Sequence, residues 1–210
     1  MAKSPLRIAI LASGRGSNFR AIAQAVKSGD IPNTEIVALI CNKANAPVLE
    51  HAKELQIPTK PHFSKDFYEG PKFHREAYEA SLAEILKSLT PDYLILAGYT
   101  LLLGPQLVGL YPNRILNIHP SLLPAFKGLH AQRQALEAGV EWTGCTVHIV
   151  TAALDDGPIL RQGSLKIEKT DTEASLTKRL LELEHETYVS VLKDLATKEM
   201  VVEGSQVKWK

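Results

Sequence analysis

Cysteine is scarce in this chain of 210 residues: there are two, Cys41 and Cys145. Both sit in apolar, strand-like runs, and neither has a second cysteine or a histidine at metal-ligand spacing. That argues against a zinc module. Two buried free thiols are expected, which suits a reducing cytoplasm. Excess charge is also lacking. A formal net charge of +1 gives no support for a nucleic-acid or membrane partner. No apolar run approaches the roughly 20 residues of a membrane span. Met1 to Pro5 is short and polar, and no signal peptide is expected from it. A cytoplasmic location is expected. What remains is ordinary for a globular protein, with a hydrophobic fraction of 45% and a charged fraction of 22%. The length suits one α/β domain over 1–210.

The first half alternates between strand and helix patterns. Arg7 to Ala12 is a compact apolar run and predicts a buried strand. Phe19, Ile22, Ala23 and Val26 follow at helical spacing, and Gly29 can end that helix. Ile36 to Cys41 is a second buried run. Pro47 to Leu55 reads as a helix with proline in its first turn. Pro58 and Pro61 mark an irregular or edge segment. Ala77 to Leu86 reads as a helix, Tyr93 to Ala97 as a third strand and Ile115 to Ile118 as a fourth. Strands separated by helices imply a mostly parallel central sheet flanked by helices. Further on, His130 to Ala138 reads as a short helix closed by Gly139. Thr146 to Val150 and Ile159 to Ile167 read as strands joined by the loop Thr151 to Pro158. Thr170 and Glu173 have capping-box spacing ahead of a long amphipathic helix. Met200 to Trp209 predicts a small C-terminal hairpin turning at Gly204-Ser205.

The segment Asn117-Ile118-His119-Pro120-Ser121-Leu122-Leu123-Pro124 carries the most chemistry. Residues two apart in a strand share a face, so Asn117 and His119 emerge side by side at a strand end. One brings an amide donor, the other an imidazole that changes charge near neutral pH. Pro120 and Pro124 stop the strand and stiffen the following loop. Such a pair suits a site that polarises a carbonyl and moves a proton. Each residue alone also has a structural reading, as a loop anchor or a satisfied core histidine. A carboxylate is expected from Leu154-Asp155-Asp156-Gly157-Pro158. Asp156, next to glycine, fits turn chemistry, and Asp155 is the candidate to point inward and favour imidazolium. His148, in an apolar strand, reads as a buried, hydrogen-bonded residue. Nothing in the spacing of His119, His148 and Asp155 is diagnostic of a metal, and none is expected.

A glycine-rich turn, Ser13-Gly14-Arg15-Gly16-Ser17-Asn18, joins the first strand to a helix. Backbone N–H groups at a positive helix end suit a phosphate. The dinucleotide fingerprint fails here, because Phe19 stands where its third glycine belongs and Asn42-Lys43 where an acidic residue is wanted. The glycine-lysine-hydroxyl triplet of a P-loop is absent. The turn reads either as a cradle for one phosphate monoester or as a helix start capped by Ser17 or Asn18.

Taken together, the segments SGRGSN (13–18), LAGY (96–99), ILNIHPSLLPAFKGLHAQRQAL (115–136), TGCTVHIV (143–150), LDDGPIL (154–160) and EHETY (184–188) resemble the phosphoribosylglycinamide formyltransferase family, in its order and spacing. The resemblance implies a single-domain, Rossmann-like formyltransferase fold. It would have a phosphate-binding half over about 1–115 and a catalytic, folate-binding half over about 116–210. It implies transfer of a formyl group from 10-formyltetrahydrofolate to glycinamide ribonucleotide in purine synthesis, without a metal. By resemblance, Asn117, His119 and Asp155 are catalytic. Gly16, Ser17 and Asn18 contact the substrate phosphate, and Glu184 the sugar hydroxyls. Arg75 and Arg114 lie near the folate. Thr100, Leu101, Leu102, Leu103 and Val150 wall its pocket, with Asn117 also reaching it. Thr100 and Leu101 depart from the methionine and arginine of many relatives, so backbone contacts to the pterin are expected there. No function attaches to Lys127 or Asp156. The mechanism this implies has Asn117 and His119 imidazolium donating to an oxyanion, with Asp155 keeping His119 charged. The partners are small molecules, and the assembly a monomer or homodimer. A methionyl-tRNA formyltransferase would carry a further C-terminal domain and a basic surface. A formyltetrahydrofolate hydrolase would carry an N-terminal regulatory domain. A non-catalytic nucleotide-binding module would keep the phosphate turn without needing the trio. The start methionine and short tail lead us to expect a free-standing enzyme.

Overall fold

Ile8, Ala9, Ile10, Leu11 and Ala12 are all fully buried, so the first strand is covered on both faces. A strand in that position reads as a continuous apolar run rather than an alternating one. The computed structural model describes residues 4–210, so the first three residues of the polar N-terminal stretch lie outside it. Two compact units are present, one ending at Ile115 and one comprising Leu116–Lys210.

The first unit contains β1 (Leu6–Ala12), α1 (Ser17–Ser28), β2 (Thr34–Cys41), α2 (Val48–Glu54) and β3 (Thr59–Pro61). A 3₁₀ turn (Ser64–Phe67), β4 (Tyr68–Glu69), β5 (Lys72–Phe73), α3 (Arg75–Leu89), β6 (Tyr93–Leu96) and α4 (Pro105–Leu110) follow. The strand order is β3-β2-β1-β6, and every pair in it is parallel. β3 is the edge strand, where Pro61 removes no interior ladder bond. Gly29 closes α1 at φ 86°, its N–H bonded to Val26 O. Tyr78, Leu82 and Leu86 of α3 are buried in the core. The β4–β5 hairpin and α4 are too short to have left a periodic signal.

The second unit begins with β7 (Ile115–His119), whose first residue belongs to the first unit. It continues with α5 (Ala131–Glu137), β8 (Trp142–Ile149), β9 (Ile159–Lys166), α6 (Glu173–Thr197), β10 (Met200–Glu203) and β11 (Gln206–Trp209). Here the pairings are antiparallel, β7 with β8 and β8 with β9. β8 starts at Trp142, four residues before the expected Thr146. The reason is Gly144, which reads as a break but sits inside the ladder. A Cβ there would lie 1.9 Å from Gly163 O, so only glycine permits the approach. The cap of α6 also differs from expectation. Thr172, not Thr170, accepts from Ser175 N at 3.2 Å, and Ser175 Oγ accepts from Thr172 N at 3.0 Å. α6 buries Leu176, Leu180, Tyr188, Val191 and Leu192. Tyr188 Oη donates to Leu116 O at 3.0 Å, tying the helix to β7. β10 and β11 form the expected hairpin, with Glu203 paired to Gln206. The fold class is therefore α/β, a mostly parallel sheet flanked by helices with a small C-terminal hairpin. Among the described residues, no helix is long and apolar enough to cross a membrane.

Burial pushes three histidines, His62, His148 and His185, below the ordinary value of 6.5. Each is neutral in the folded state, while the unfolded chain takes up a proton near 6.5. Stability from these groups is therefore complete above that value and is lost as pH falls below it. The melting temperature should be flat between about pH 8 and 7 and fall between about pH 6.5 and 5. His62→Gln should make that fall shallower, and a melting temperature independent of pH over the acid range would contradict the reading.

Candidate active site

Asn117 and His119 lie two apart on β7, and the antiparallel register sets His148 of β8 directly opposite Asn117. Residues directly opposite share a face of the sheet. Asn117 Nδ2 donates to His148 Nε2 at 3.2 Å. The other ring nitrogen, Nδ1, lies 3.0 Å from its neighbour's carbonyl, Ile149 O. These two bonds define one tautomer: Nδ1 carries the proton and Nε2 accepts. Burial, at 2% exposure, holds the ring neutral. The 3.7 Å approach of Nε2 to Asp155 Oδ1 is therefore not an ion pair, because both atoms are acceptors. His148 instead orients the Asn117 amide.

His119 has the opposite surroundings. Nε2 lies 2.8 Å from Phe126 O, and Nδ1 lies 3.4 Å from Asp155 Oδ2. Both ring nitrogens thus face acceptors. A neutral imidazole has one N–H, while imidazolium satisfies both oxygens. The His119 and Asp155 side chains are only 7% and 8% exposed, so the pairing acts at reduced dielectric.

Asp155 is positioned by backbone rather than by side chains. It adopts φ 47°, and its Oδ2 accepts from Gly128 N at 2.9 Å. That bond joins the loop after β8 to the loop after β7. The latter loop is held in turn by Thr146, whose Oγ1 donates to Ser121 O at 2.7 Å and accepts from Leu123 N at 3.1 Å. Lys127 and Asp156 form an exposed ion pair between the same two loops. The neighbouring ammonium holds the Asp156 carboxyl below its ordinary range. His148 is the buried, hydrogen-bonded residue its apolar strand predicts, and the structure adds its partner, the Asn117 amide. The signal was available once β8 was paired antiparallel to β7, because the register alone faces residue 148 with 117.

In the first unit, α1 begins directly after Gly16, which sits at φ 78° as N-cap with no side chain capping the helix. Ser17 and Asn18 are thus the first helical residues, not caps, and their N–H groups belong to the open helix end. Gly16 is obligatory on two grounds: its φ, and a Cβ that would fall 2.4 Å from Val48 Cγ2. The loop after β6 is tied to α3. Arg75 donates to Leu102 O, and Glu79 Oε1 accepts from Gly104 N at 2.7 Å. Thr100 N donates to Ser13 Oγ at 2.9 Å, linking this loop to the glycine-rich turn. Leu102 is exposed and Leu103 buried, with Leu101 between these extremes.

The Arg114 carbonyl accepts from Leu94 N at the start of β6, and its charge acts on Tyr93 and Tyr111. In the second unit, Glu184 is buried on α6 at 6% exposure, and Val150 is half-buried just past β8. Among the described residues, no group of three or more His, Cys, Asp or Glu side chains is placed to hold a metal ion.

Comparison with known proteins accords with this geometry. The Formyl transferase family model matches residues 6–192. The phosphoribosylglycinamide formyltransferase of Bacillus subtilis (strain 168) is 40% identical over 189 residues, covering 90% of this chain and 94% of the relative. That of Escherichia coli (strain K12) is 41% identical, covering 89% and 85%. A similar segment, 41% identical, makes up 14% of a trifunctional purine biosynthetic protein of Drosophila pseudoobscura pseudoobscura. Among solved structures, glycinamide ribonucleotide transformylase 1 of Symbiobacterium toebii superposes with a TM-score of 0.91 at 40% identity, covering 98% of this chain and 94% of that one. The chain belongs to the formyl transferase family, and over nearly its whole length it is similar to the phosphoribosylglycinamide formyltransferases within it.

Proposed function

We propose that the protein transfers the formyl group of 10-formyltetrahydrofolate to the amine of 5'-phosphoribosylglycinamide, giving formylglycinamide ribonucleotide and tetrahydrofolate. The observation that carries the proposal is the polar cluster of the second unit. An oriented amide at Asn117, a neutral His148 and a His119–Asp155 pair occur together, which a nucleotide-binding module would not need.

The amine nitrogen attacks the formyl carbon, forming a C–N bond and an oxyanion. Asn117 supplies an N–H to that oxygen, while His148 takes the other and fixes the amide plane. His119, whose Nε2 lies 2.8 Å from Phe126 O and whose Nδ1 lies 3.4 Å from Asp155 Oδ2, would as imidazolium place positive charge beside the oxyanion. Asp155 balances that charge and offers an acceptor for the proton leaving the amine. The proton ends on the folate nitrogen as its bond to the formyl carbon breaks. Gly16, Ser17 and Asn18 bind the substrate phosphate, and Glu184 the sugar. Arg75 holds the loop Thr100–Leu103 through Leu102 O, which accounts for tolerance of threonine and leucine at 100 and 101: backbone, not side chain, faces the folate.

Asn117→Ala should lower kcat by roughly 100- to 1000-fold with little change in KM for either substrate. A near-normal rate in a coupled absorbance assay would remove Asn117 from the oxyanion role. Ser17→Ala combined with Asn18→Ala should raise KM for glycinamide ribonucleotide and leave that for the folate unchanged; equal losses for both would contradict the phosphate assignment. Omitting the acceptor should give no turnover, whereas folate hydrolysis without it would identify a hydrolase.

A further inference from the structure

Helix α3 carries a buried carboxylate that the proposed mechanism does not use. Glu79 is 7% exposed, and its Oε1 accepts from Gly104 N at 2.7 Å. A carboxylate in an interior is costly unless it is paired, so what it faces is informative. This one faces the backbone of the loop after β6 and the guanidinium of Arg75, whose Nη1 lies 3.9 Å from the same oxygen.

Arg75, Tyr78 and Glu79 are spaced i, i+3 and i+4, so they share one face of α3. Each holds the same loop. Arg75 donates to Leu102 O, Tyr78 and Tyr99 are joined through their hydroxyls, and Glu79 takes the Gly104 N–H. At Leu102 and Gly104 the helix reaches only main-chain atoms. The path of the loop is therefore set by α3 rather than by the side chains at 100–102. Gly104 fits this arrangement. Its φ of −76° is one that any residue adopts, so no backbone strain demands glycine. A Cβ there would lie 2.6 Å from Glu79 Oε2. Alanine at 104 would thus displace the carboxylate that holds the loop.

We infer that Glu79 is a positioning residue for the folate. Through Gly104 N–H and Arg75 it keeps the backbone of Thr100–Leu103 in the conformation that receives the folate, and so sets folate affinity without touching the ligand. The inference rests on the assignment of that loop to the folate made above. Apparent affinity falls in proportion to the fraction of molecules that hold the binding conformation, so a loosened loop is read as a raised folate KM.

Steady-state kinetics of the whole enzyme with both substrates tests this. Glu79→Ala should raise KM for 10-formyltetrahydrofolate roughly 10- to 100-fold, the range for a bond to a charged acceptor. kcat and the KM for glycinamide ribonucleotide should stay within roughly twofold, the pattern of a loss in binding rather than in the chemical step. Glu79→Gln keeps an acceptor for Gly104 N and should restore the folate KM to within roughly fivefold of the unmodified enzyme. Gly104→Ala carries the test if Glu79→Ala fails to fold. It should raise the folate KM on its own and add nothing to Glu79→Ala, because the carboxylate it displaces is already gone. Amide hydrogen exchange at Gly104, with no substrate present, should quicken roughly tenfold or more in Glu79→Ala. The inference is overturned if the folate KM is unchanged in Glu79→Ala, if both KM values rise together, or if exchange at Gly104 is unaltered. Absence of formyl transfer by the unmodified enzyme would overturn the functional reading itself, whereas transfer with an unchanged folate KM in Glu79→Ala overturns this inference alone.

Discussion

Two strands running in opposite directions place Asn117 and His148 face to face, and burial keeps that histidine uncharged. The polar cluster of the second unit depends on this constraint. A charged His148 would have a proton on each nitrogen, so Nε2 would no longer accept from Asn117. It would also compete with His119 for Asp155, whose oxygens lie within 3.4 Å of one ring and 3.7 Å of the other. Because burial holds His148 neutral, it does not compete with His119 for Asp155. The two histidines have different surroundings: Ile149 O and an amide N–H for one, Phe126 O and a carboxylate for the other.

The same separation explains how a carboxylate is kept in place on a loop. The exposed Lys127–Asp156 pair contributes little, since surface ion pairs are typically worth under about 1 kcal/mol. The Gly128 N–H to Asp155 bond is better protected and acts on a charged acceptor, a class worth about 1.5–3 kcal/mol. It also couples two loops. Displacing the loop after β7 would move Phe126 O and Gly128 N together, so His119 and Asp155 would lose their partners in one event.

The strands of the first unit were legible because continuous apolar runs and glycine ends survive any tertiary context. Arg7–Ala12 and Ile36–Cys41 were placed to within two residues of β1 and β2 at each end. β8 was cut short at Gly144 because a glycine's close approach to Gly163 O looks, in one dimension, the same as a break. The α6 cap was misplaced because threonines at 170 and 172 both have a residue three positions on that can answer them, and only geometry decides. His119 and Asp155 could be nominated from residue type and loop position. His148 could not, because its partnership with Asn117 is a fact of strand direction.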